Sequence, residues 1–70
     1  MKPADLLRRL RRRATRLGLG HEERSGNGGH VFVRHGGLTT TVPFHRGDLP
    51  TGTYRAVLRQ LGLRPEDLEG

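Results

Sequence analysis

Residues 30–44, HVFVRHGGLTTTVPF, decide how this chain folds. Each half is rich in β-branched or aromatic residues, and Gly36-Gly37 lies between them. Two glycines in tandem supply the left-handed backbone conformations of a two-residue hairpin turn. Residues 30–35 therefore read as one strand and residues 38–44 as the next. In the second strand Leu38, Thr40, Val42 and Phe44 alternate with Thr39 and Thr41, so the first set is expected on one face. Pro43 removes a ladder N–H, which ends that strand or puts it at an edge.

Working outward, residues 18–29 read GLGHEERSGNGG, and five of these twelve are glycine. Residues 19–24 form a weakly patterned edge strand. Residues 25–29 form a loop in which Asn27-Gly28 signals a turn. Upstream, a helix is expected over about residues 3–17. Pro3 suits its first position and Asp5 its positive first turn. Leu6, Leu7, Leu10, Ala14 and Leu17 share one face, while Arg8, Arg9, Arg11, Arg12, Arg13 and Arg16 fall outside it. Gly18 is the natural stop. Downstream, a second helix runs from Thr51 or Thr53 to Leu61, with Tyr54, Val57, Leu58 and Leu61 as its core stripe. Gly62 closes it, Leu63 makes the hydrophobic contact of such a cap, and Pro65 to Leu68 add one turn. The order is α-β-β-β-α. The expected fold class is α+β: a compact three-stranded antiparallel sheet with two helices on one face. Double-stranded-RNA-binding domains share this topology, although a fold alone does not define an activity.

Length and composition narrow the function. Seventy residues are expected to form a single domain, residues 1–70. A chain this short buries only about 60% of its unfolded surface, so its stability is expected to be modest. The formal net charge is +6, and 12 of the 13 basic residues are Arg. An anionic partner is the first expectation, and nucleic acid is the commonest kind. The absence of Cys excludes a disulfide scaffold, a thiolate metal site and a thiol nucleophile. No apolar run approaches the ~20 residues that span a bilayer, and the Arg-rich start lacks the apolar stretch of a secretory signal. A cytoplasmic protein without a membrane partner is expected. Thr39-Thr40-Thr41 has no paired base, and Glu22-Glu23 and Glu66-Asp67 lie on separate segments. The four His lack the i, i+4 helical spacing that favours zinc. No metal or cofactor is expected.

Three motifs carry a family resemblance: Gly28-Gly29-His30, then TVPFH (residues 41–45), then GTYRAVLRQLGL (residues 52–63). Together with DLLRRL at residues 5–10, they resemble the HicA family of bacterial toxins. Members typically read G-S-H at the second strand, then V-P-x-H, then G-T-x-x-x-I-L-x-x-x-G-L. The likeness covers about Leu6 to Leu63, and the last motif is its most specific part. It implies a fold like double-stranded-RNA-binding domains and a ribosome-independent mRNA endonuclease. It also implies a cognate HicB-type antitoxin. The family's catalytic His falls on His30. The chain departs from the pattern at Gly29, where Ser is usual, and in the more apolar Val31-Phe32-Val33.

The chemistry of imidazole suits that role. RNA carries its own nucleophile, the 2′-OH beside each phosphorus. One group must take its proton and return one to the leaving 5′ oxygen, and imidazole exchanges protons near neutral pH. Backbone N–H groups of Gly28 and Gly29 are candidates to hold the charged phosphorane, because only glycine lets the backbone approach so closely. Without the resemblance, His30 reads as an exposed residue at a strand start. His45 reads as structural or phosphate-facing, and the V-P-x-H pattern adds a site role. Arg34 faces either RNA or solvent. Arg9, Arg12 and Arg16 have three readings: tracking phosphates, docking an acidic antitoxin, or solvated. His35, flanking a tight turn, reads as solvated, and His21 has no supporting pattern. Two other functional classes remain: a non-catalytic module for double-stranded RNA, and a basic subunit that only docks an acidic protein.

Overall fold

The structure is a computed structural model and describes residues 1–69. Its elements are α1 (Pro3–Leu17), β1 (His21–Ser25), β2 (His30–His35), β3 (Leu38–Pro43), α2 (Thr51–Gln60) and a 3-10 turn (Pro65–Leu68). The strands form one antiparallel sheet in the order β1-β2-β3. The fold is therefore α+β with the expected element order.

The hairpin turn is as expected: Gly36 and Gly37 both have positive φ, 59° and 87°. Both helices end on a glycine in the left-handed region. At α1 the Leu19 N–H reaches back to the Ala14 carbonyl at 2.9 Å, past Gly18 at φ 67°. At α2 the Leu63 and Gly62 N–H groups donate to the Leu58 and Arg59 carbonyls at 2.8 and 3.1 Å. Those bonds satisfy carbonyls that the helix leaves free, and they turn Leu63 back onto the core.

One face of the sheet is covered. Leu6, Leu7 and Leu10 of α1 and Val57 and Leu58 of α2 pack on Val33 and Val42. Leu49, Leu61 and Leu68 close the sides of that core. Thr40 is also buried there, and its hydroxyl donates to Gln60 Oε1 at 2.6 Å.

Three expectations change. The first strand starts at His21 instead of Leu19, because the chain needs residues 18–20 to leave the α1 cap. Leu17 is 49% exposed: it belongs to the apolar face by angle but lies at the helix end, beyond the buried stripe. In β3 only Thr40 and Val42 are buried, while Leu38 and Phe44, at and beyond the strand's ends, are half-exposed.

Candidate functional site

Alternation along β2 sorts its side chains. Val33 and His35 are buried and Val31 is half-buried, so they face the helices; His30, Phe32 and Arg34 are exposed and face away. His30 thus stands at the start of β2, on the sheet face that the helices leave bare, paired in register with Pro43.

The loop before it is tightly held. The Gly26 N–H donates to the His30 carbonyl at 2.8 Å, and the Phe44 N–H donates to the Gly29 carbonyl at 2.7 Å. Gly28 and Gly29 both have positive φ, 75° and 76°, which explains why glycine stands at both positions. A Cβ on Gly29 would meet the Phe44 carbonyl oxygen at 3.4 Å. The segment carrying His45 is therefore tied to the loop carrying His30, and both lie at one end of the sheet. His30 Nδ1 lies 3.4 Å from the Asn27 carbonyl oxygen. With the proton on Nδ1, the ring donates to that oxygen and keeps a lone pair on Nε2 for an incoming proton.

The arginines are distributed differently. Arg34 shares the face of His30, but four residues of strand put it about 13 Å further along. Arg9, Arg12 and Arg16 line a groove together with Arg8, Arg13 and Leu68. That groove belongs to α1, which packs on the opposite side of the sheet. A buried Arg9 Nε in it has no hydrogen-bond partner among the described residues. The structure thus groups the three α1 arginines with one another and separates them from His30.

A second polar cluster joins α1 to the sheet, and it corrects the expectation for His35. That residue is 1% exposed. Arg13 Nη1 donates to His35 Nε2 at 2.9 Å, His35 Nδ1 donates to His21 Nδ1 at 3.0 Å, and His21 Nε2 donates to Glu23 Oε2 at 2.7 Å. Arg11 closes the other side with two bonds to the same carboxylate, 2.7 and 2.5 Å. Arginine can only donate and a carboxylate only accept, so the two ends fix the direction of every bond between them. Both rings are neutral in that arrangement. Burial comes first in holding the His35 pKa below its ordinary value; the positive charge that His21 would carry if protonated, and then that of Arg13, act in the same direction. The Arg11 hydrogen bonds hold the Glu23 carboxyl below the usual carboxylate range and raise the guanidinium in turn. The signal for His35 was present: residues 31, 33 and 35 share a parity, and two of them are Val. Its partner on α1, Arg13, is 22 residues away in sequence and leaves no local mark.

Among the described residues no group of three or more His, Asp or Glu is placed to hold a metal ion. No helix among them is long and apolar enough to cross a membrane.

A search of curated proteins gives no match to this chain. Among protein families, residues 7–63 match the model described as HicA toxin of bacterial toxin-antitoxin. That match contains the α1 core stripe from Leu7 onward, the core stripe of α2, the whole sheet, the glycine loop and His30, and by it the chain belongs to the HicA family, the toxins of bacterial toxin–antitoxin systems.

Proposed function

We propose that this toxin is an RNA endonuclease in which His30 is the general acid/base. The observation that supports this most strongly is the placement of His30. It is exposed at the start of β2, beside two exposed glycines whose backbone no side chain shields from a phosphate. In the proposed reaction His30 Nε2 takes the proton of a ribose 2′-OH. The oxygen attacks the adjacent phosphorus, and the 5′ oxygen leaves with a proton returned from the protein. The products are a 2′,3′-cyclic phosphate and a free 5′-OH. The nucleophile is already tethered beside the phosphorus, so the protein need not capture and orient a water. The Gly28 and Gly29 N–H groups hold the developing charge on phosphorus oxygens. His45, tied to the same loop through Phe44, assists in holding the phosphate.

Arg34 and the α1 set, Arg9, Arg12 and Arg16, contribute to RNA or antitoxin binding and not to the chemical step. The partner is an antitoxin of the HicB type whose acidic surface covers these basic faces, and the substrate is mRNA. Purified chain incubated with RNA in excess EDTA should cut it and leave those two ends. A 2′-deoxy substitution at the scissile nucleotide should block the cut. A 5′-phosphate product, or activity that EDTA abolishes, would show that the mechanism is different.

A further inference from the structure

The sheet face that carries His30 also carries an aromatic ring that packing does not require. Phe32 is 52% exposed, although aromatic side chains are normally used for buried area. Its ring rests against Gly26, where an added Cβ would lie 2.5 Å from Cε2. The register puts Arg24 and Thr41 directly across from Phe32 on the two neighbouring strands. His30 and Arg34 flank it on β2 itself, each about 7 Å away along the strand. Neither Arg24 nor Arg34 has an acidic group within ion-pair distance among the described residues. Arg24, Phe32, Arg34, Thr39 and Thr41 line a depression of about 890 Å³, which also includes Glu22, the residue across from Arg34 on β1.

An open aromatic face beside free guanidiniums is how sheets hold unpaired nucleotides: bases stack on the ring and arginines meet the backbone. A base inside an A-form duplex offers no free face for this. The ring lies two residues from the imidazole, so a nucleotide with its phosphate at His30 has its base within reach of Phe32. From this arrangement we infer that Phe32 is a stacking platform for the base next to the bond that His30 acts on, with Arg24 and Arg34 holding flanking phosphates, and hence that the substrate strand is unpaired at that base. The inference rests on the endonuclease reading above and adds the substrate's form.

Its test separates the two. A fluorescent single-stranded oligoribonucleotide with 2′-O-methyl groups cannot be cut through the 2′ oxygen, so it reports binding alone. Phe32→Leu should bind it about 5- to 150-fold more weakly, the loss of one stacked base. Phe32→Tyr keeps the ring and should bind like the parent. Arg34→Gln, a second variant that leaves the ring in place, should lower the salt slope by about 0.7. The same sequence as a blunt duplex should bind without regard to Phe32. Melting curves of each variant confirm the fold. Parental single-strand binding by folded Phe32→Leu, equal Phe32 dependence for the duplex, or a loss confined to antitoxin binding would overturn the inference. Failure of the endonuclease reading shows separately, as intact ordinary RNA.

Discussion

His35 sits at the hairpin turn with almost no exposed surface, and its neutral ring is one link in a directed chain from Arg13 to Glu23. A further proton on His35 would point an N–H of its ring at the Arg13 guanidinium, which can only donate. The depressed pKa of His35 means that the unfolded chain binds a proton at pH values where the folded chain does not. Stability should therefore be full above the ordinary imidazole value and fall as pH drops from about 6.5 toward the folded pKa, by at most about 1.4 kcal/mol per pH unit. Glu23 acts lower on the scale: its contribution is present above the ordinary carboxylate value and is lost as pH falls through its depressed pKa. Urea midpoints between about pH 5 and 7.5 check this, with His35→Leu as comparison. The variant should have the shallower dependence, and an unchanged slope would remove His35 from the account. Gly29 is the other residue with a local consequence. At φ 76° a Cβ is strained and also meets the Phe44 carbonyl, so Gly29→Ala should cost about 1–2 kcal/mol in denaturant titration.

At the scale of elements, α1 holds the fold through three leucines and meets the sheet edge through two arginines. Leu10 is fully buried in the core between the sheet and the helices, and Leu10→Ala should cost about 2–5 kcal/mol. A chain this short has little more than that in total, at roughly 0.05–0.15 kcal/mol per residue. Thermal melts should show the variant largely unfolded near physiological temperature. The helices and the β2–β3 hairpin were legible in the sequence because their signals are local: the leucine stripe of α1, the Gly18 and Gly62 stops, the tandem glycine turn. The edge strand β1 was blurred, since HEERS has no alternation of apolar residues and forms by pairing with β2. The exposed end of β2 was legible as a candidate site only through the resemblance carried by Gly28-Gly29-His30. The relay of Arg13, His35, His21 and Glu23 was not legible, because it depends on α1 crossing the sheet edge. Leu17 and Leu38 misled by periodicity, which assigns a face but not whether anything lies over it.

Over the whole molecule, the candidate RNA-binding arginines fall on two separate faces, one on α1 and one on the bare side of the sheet, while Arg55 and Arg59 are exposed on α2. RNA that follows both must wrap around the domain, whereas a short substrate needs only the sheet side. Replacing Arg9, Arg12 and Arg16 with Gln should weaken RNA or antitoxin binding without melting α1, because these changes touch none of its buried leucines. Every single-strand phosphate deprived of its guanidinium lowers the salt slope by about 0.7. Unchanged affinity and slope for both partners would mark the α1 face as merely solvated. The central claim rests on one imidazole. The most direct measurement is RNA cleavage by His30→Ala beside the parent chain, with melting curves of both. His30 is exposed, so the variant should melt within about 0.5 kcal/mol of the parent. The account predicts a folded variant whose cleavage rate falls by about 10²-fold or more. Parental cleavage by the folded variant would contradict it.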